Sequence, residues 1–122
     1  MSLKGNTNFR IEPSNSLIGK VNIPGDKSIS HRAIILAAIA DGESRIKNLL
    51  QGEDTLATIR VFQKMGVNIK NDGDIIIVKG VGLHGLSAEN PTFYFGNSGT
   101  SVRLLSGLLS AQNFSSQLIG DE

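Results

Sequence analysis

Two stretches of this chain, Gly25–Ala40 and Gly96–Ala111, each pass from a glycine turn through hydroxyl residues into an apolar helical run, with an arginine near its start. Gly96, Ser101 and Arg103 fall 71 positions after Gly25, Ser30 and Arg32. The echo extends further: Ser44–Leu50 is matched by Ser115–Ile119, and Gly52, Glu53, Asp54 by Gly120, Asp121, Glu122. A unit that cannot cover its own apolar face is expected to recur, so the spacing predicts a repeat, one unit complete and a second broken off.

Each glycine-to-helix turn suits an anion. The first amides of a helix lack intrahelical partners, and the macrodipole adds partial positive charge at the same end. That field repels cations, yet Lys27 and Arg32 sit at the first helix start, a local conflict expected where a ligand is served. Arg103 repeats it, either for a ligand or in an ion pair along its helix. Gly99, between Ser98 and Thr100, would let a ligand approach the backbone with no Cβ in the way. The open choices of anion are phosphate, carboxylate, or a phosphorylated metabolite carrying both.

Other chemistries fit poorly. GDKS lacks the preceding glycine cradle of a nucleotide P-loop, and GNSGT does not match the dinucleotide fingerprint. A chain without cysteine has no thiolate metal site, disulfide or cysteine nucleophile, and suits a reducing cytoplasm. His31 and His84 have no partner at metal spacing and read as packed or solvated side chains, so no zinc site is expected. Glu53 and Asp54, at a helix start, read as capping groups. A net charge of +1 supports neither a nucleic-acid nor a membrane partner, and no apolar run approaches a membrane span.

The coarse order is strand, helix, strand, helix, a hairpin, then strand and helix again, which is α/β with a mixed sheet. Strands are expected at Leu17–Ile23, Arg45–Leu50, Val67–Lys70, Ile75–Lys79 and Thr92–Phe95, with a shorter one at Phe9–Ile11. The first helix runs from a Ser28 cap to about Ala40 and, apolar almost all round, is expected to be buried. The second runs from Glu53 to Met65 and stops at Gly66. Asn71–Asp74 is a hairpin turn signal.

PGDKSISHRA at Pro24–Ala33 and GNSGTSVRLLSGLL at Gly96–Leu109, with LLQGEDT at Leu49–Thr55 and GVGL at Gly80–Leu83, resemble the 5-enolpyruvylshikimate-3-phosphate synthase family. The resemblance runs from about Leu17 to Glu122 and covers the N-terminal portion of a much longer chain. The sister enzyme acting on UDP-N-acetylglucosamine shares the fold without the DKSxSxR pattern. The resemblance implies a two-lobed inside-out α/β barrel, each lobe built from three βαβαββ units. Residues 1–16 would then belong to the other lobe and 17–122 to a partial lobe.

It also implies a transferase that joins shikimate 3-phosphate to phosphoenolpyruvate with release of phosphate, without metal or organic cofactor. By the same resemblance Lys27 would touch both substrates and serve catalysis. Ser28 and Arg32 would hold shikimate 3-phosphate, and Asn97 and Gly99 would border phosphoenolpyruvate, where glyphosate also binds. General acid and base residues would lie in the rest of the enzyme, so this piece alone is expected to be inactive. The alternative from a different class is a non-enzymatic module binding small phosphorylated anions. Exposed faces of an incomplete repeat array also invite self-association.

Overall fold

The computed structural model describes residues 8–121. Its elements are α1 (Lys27–Ile39), β1 (Asp41–Lys47), α2 (Glu53–Lys64), β2 (Asn68–Asp72), β3 (Ile75–Val81), β4 (Thr92–Tyr94), α3 (Gly99–Ser110) and β5 (Gln117–Ile119). The class is α/β as expected, but the strands form two sheets, not one mixed sheet. An antiparallel sheet has the order β1-β3-β2, and β4 and β5 make a separate parallel pair. The division follows from connection length. The β2–β3 turn is the two-residue Gly73–Asp74 link, which enforces antiparallel pairing. Between β4 and β5 the chain passes through α3, the crossover that parallel strands require.

The core lies between the helices and the inner face of the larger sheet. Period-two burial on β3 sends Ile76 and Val78 inward, where they meet Ile34, Ala37 and Ala38 of α1 and Phe62 of α2 in one apolar cluster. Gly80 permits the close approach of α1, because a Cβ there would run into the carbonyl oxygens of Ala37 and Ala40. Phe93, Phe95, Leu105 and Leu109 extend the same cluster toward α3. Lys64 ties α2 to the second sheet, its Nζ donating to the Thr92 carbonyl at 2.6 Å and standing 5.9 Å from the Phe93 ring centre.

Several expectations are corrected. No strand forms over Leu17–Ile23 or Phe9–Ile11; residues 8–24 are exposed and without regular structure. Alternating apolar residues make a strand only when an edge accepts their backbone groups. The described contact of this stretch with the body is Asn48 Nδ2 donating to the Ile23 carbonyl at 3.1 Å. The strand expected at Arg45–Leu50 lies earlier, at Asp41–Lys47, because Asn48 takes a positive φ of 55° and turns the chain out of the sheet.

The helix ends also differ. Asp26, not Ser28, caps α1: its carboxylate accepts from the Ile29 amide at 2.7 Å. Gly52, with no side chain to offer, occupies the cap position of α2, so Glu53 and Asp54 lie in the first turn and are not caps. Instead Glu53 Oε2 stands 3.7 Å from the Arg60 guanidinium, and Asp54 pairs with Lys27. Helix α1 is covered on one side only, since Ile29 and Leu36 remain 62% exposed while Ile34 and Ala38 are fully buried.

Candidate functional site

The helices that follow the two glycine turns approach each other near their starts, with His31 Nδ1 3.5 Å from Ser101 Oγ. Gly25 is glycine because a Cβ would strike the Asn48 carbonyl oxygen as the chain leaving β1 passes beneath it. Gly96 is glycine for another reason, its φ of +56°. The chain leaving β5 returns beside it, with the Asp121 amide donating to the Gly96 carbonyl at 3.2 Å. Each turn is thus braced by the segment that follows the next strand.

Between the turns lies a buried polar cluster contributed by all three helices. His31 Nδ1 of α1 is 2.8 Å from Thr58 Oγ1 of α2, and Thr58 Oγ1 is 2.7 Å from Ser101 Oγ of α3. Ser101 Oγ is 2.5 Å from Oγ of Ser98, which caps α3, and 3.5 Å from His31 Nδ1. Burial lowers the His31 pKa; Asp54 opposes that shift and Lys27 adds to it. Ser30, the partner of Ser101 in the sequence echo, also points inward, where its Oγ accepts from the Leu50 amide at 3.0 Å.

Outside the cluster, Lys27 opens α1 and forms an ion pair with Asp54. An ammonium has three donors, so this pairing leaves two for a ligand. The pair explains how a cation sits at a helix start without a ligand: Asp54 answers its charge across the α1–α2 gap. A hollow of about 320 Å³ opens there, lined by Lys27, Leu50, Gly52, Glu53, Asp54 and Thr55. Arg32 does not line it. With about 100° per residue, Ser28 and Arg32 share one ridge of α1 while Lys27 and His31 share the next. Ser28, Arg32, Asn97 and Gly99 are all exposed.

Gly99 opens α3, has no positive φ, and a Cβ there would meet nothing within 4 Å. Neither conformation nor packing within the described residues requires a glycine. A larger hollow, about 680 Å³ between Val21–Ile23 and Lys47–Leu49, touches none of the expected site residues.

The profile of the EPSP synthase (3-phosphoshikimate 1-carboxyvinyltransferase) family matches residues 11–122. The chain belongs to the EPSP synthase family. It is 54% identical over 114 residues to the 3-phosphoshikimate 1-carboxyvinyltransferase of Vesicomyosocius okutanii, covering 93% of this chain and 26% of that one. Identity to the enzyme of that name from Geobacter sp. is 49% over 115 residues, 94% of this chain and 27% of the relative. The solved EPSP synthase from Acinetobacter baumannii superposes with a TM-score of 0.80 at 52% identity, covering 84% of this chain and 23% of that structure. The chain therefore spans about a quarter of the length of the family members it matches.

Sequence reasoning picked out the exposed residues of this EPSP synthase segment but not the buried ones that join the two turns. His31 was expected to be packed or solvated, and it is packed. Thr58 carried one signal: it and Thr55 are threonines on the buried face of α2, where apolar residues are the rule. Arg103 makes no ion pair among the described residues and is exposed. His84 is exposed as well.

Proposed function

We propose that this segment supplies the helix-start half of a site that moves the enolpyruvyl group of phosphoenolpyruvate onto shikimate 3-phosphate, releasing phosphate. The observation that carries the reading is the convergence of the two motif-bearing helices, with His31 Nδ1 and Ser101 Oγ 3.5 Å apart. Two phosphorylated substrates that react with each other need two neighbouring anion sites, and adjacent helix starts provide them.

In this reading Ser28 and Arg32, on one exposed ridge of α1, hold shikimate 3-phosphate. Arg32 forks onto its phosphate with charge-assisted hydrogen bonds of roughly 1.5–3 kcal/mol. Asn97 and Gly99 at the start of α3 border phosphoenolpyruvate, and the open space over Gly99 is where that ligand approaches. Lys27 lies beside both, with Asp54 holding its stem end in place and its remaining donors facing the ligands. A fixed ammonium there stabilises negative charge that develops as the enolpyruvyl carbon becomes tetrahedral. No metal or organic cofactor enters this scheme.

The repeat-unit architecture and the lobe assignment form part of the same proposal. Residues 17–122 make a partial lobe of βαβαββ units, and residues 1–16 pass to the other lobe. The absence of regular structure over residues 8–16 supports this, as such a segment would find its sheet partners in the rest of the enzyme. The apolar side chains left exposed on α1, Ile29 and Leu36, would be covered by that remainder. A cytoplasmic setting follows from the substrates; among the described residues no helix is long and apolar enough to cross a membrane.

Calorimetric titration of shikimate 3-phosphate into the wild-type chain and Arg32→Ala tests the site. Heat released by the wild type and lost in the variant is expected. Equal heats would remove Arg32 from the site.

A further inference from the structure

We propose that His31 is a positioning residue that sets the placement of the α3 start relative to α1 through a buried hydrogen-bond relay that links His31, Thr58, Ser101 and Ser98. The inference rests on the reading above for its functional consequence, but its structural content stands on the cluster itself.

The tautomer of His31 follows from what is left unpaired. His31 is fully buried, and its Nε2 has no hydrogen-bond partner among the described residues. A neutral imidazole carries one N–H, on either nitrogen. If Nε2 held the proton, a buried donor would be orphaned; if Nδ1 holds it, only an acceptor lone pair is unmet, the less costly of the two. Nδ1–H therefore donates to Thr58 Oγ1 at 2.8 Å. The Thr58 hydroxyl keeps a second lone pair and its own proton, so it also bonds Ser101 Oγ at 2.7 Å, and both hydroxyls reach the Asp54 carbonyl at 3.4 Å. Ser98 Oγ lies 2.5 Å from Ser101 Oγ and accepts from the Ser101 amide at 3.4 Å.

Ser98 is the cap of α3 and immediately precedes Gly99, so the relay ends at the residue that fixes the first amides of that helix. The ring is thereby tied to the α3 cap through Thr58 and Ser101, and bonds in such a buried chain strengthen one another. The same ring lies one turn along α1 from Lys27, on its own ridge. His31 reaches neither exposed ligand ridge and acts only through what it holds.

The test has a structural arm and a functional arm. Heteronuclear NMR of the imidazole nitrogens in this chain at neutral pH is expected to show His31 neutral and protonated at Nδ1. A proton on Nε2, or a doubly protonated ring, overturns the relay. For the functional arm, His31→Asn places an amide N–H where Nδ1 stood, whereas His31→Gln fills more of the ring's volume but reaches toward the Nε2 position. In the intact transferase carrying this segment, Asn is expected to keep the KM for phosphoenolpyruvate within about twofold, and Gln to raise it on the order of tenfold, with the KM for shikimate 3-phosphate unchanged.

Equal effects of the two variants, or better function with Gln, would show a space-filling role and overturn the proposal. Thr58→Val, isosteric without the hydroxyl, is expected to repeat the Gln pattern; wild-type kinetics from a folded Thr58→Val would overturn it too. If the wild-type enzyme bound neither substrate, the functional reading would fall while the NMR result still decided the relay.

Discussion

At the residue scale, the differences between expectation and structure come from side chains that the chain satisfies internally. Asp26 caps α1 and Ser28 does not, so Asp26→Ala should lower stability by about 1 kcal/mol while Ser28→Ala stays within a few tenths. Thermal melts of the two variants check this; a larger loss in Ser28→Ala would contradict the cap geometry. His31 provides a pH signature. Burial holds its pKa below the ordinary 6.5, so the unfolded chain takes up a proton that the folded one refuses. Its contribution is therefore full above about pH 6.5 and is lost as pH falls through the window beneath it. His31→Asn should flatten that part of the pH–stability curve, measured by denaturant unfolding across the window. The motif residues Lys27, Ser28, Arg32, Asn97 and Gly99 were legible in the sequence because exposed helix starts are defined by local spacing. The partner of Lys27 was not, since Asp54 lies 27 positions away and only folding brings it near.

At the scale of elements, glycines separate packing from ligand approach. Gly25→Ala would drive a Cβ into the Asn48 carbonyl and should cost roughly 1–3 kcal/mol. Gly99→Ala meets nothing within 4 Å and opens a helix, so stability should hold or rise by up to about 1 kcal/mol, the alanine advantage within helices. In the intact enzyme the same change should raise the KM for phosphoenolpyruvate by occupying its approach. A melting temperature that drops for Gly99→Ala, or an unchanged KM, would count against the assignment. Helix α2 was readable from its periodicity and its Gly66 stop, and α3 from the glycine turn and apolar run that open it. Strand limits were less so: β1 begins four residues before the expected Arg45, because pairing with β3 from Asp41↔Val81 onward, not β propensity, sets where it starts.

For the whole molecule, one apolar cluster joins both sheets and all three helices. Phe62, fully buried at its centre, should be its most costly single truncation, with Phe62→Ala losing about 3–5 kcal/mol. In a chain this short that loss should abolish the cooperative transition seen by circular dichroism, because small domains have little stability in reserve. A sharp transition surviving in the variant would show that the two sheets are held by something other than this cluster.

Local chemistry determined which turns can present unpaired amides and cations and where α2 stops, because those properties depend on neighbours within a few positions. Tertiary structure alone decided that Leu17–Ile23 stays unpaired, that the strands divide into two sheets, and that His31, Thr58 and Ser101 share one buried cluster. Those outcomes depend on which distant backbone edge or hydroxyl arrives alongside, and residue spacing does not encode the partner.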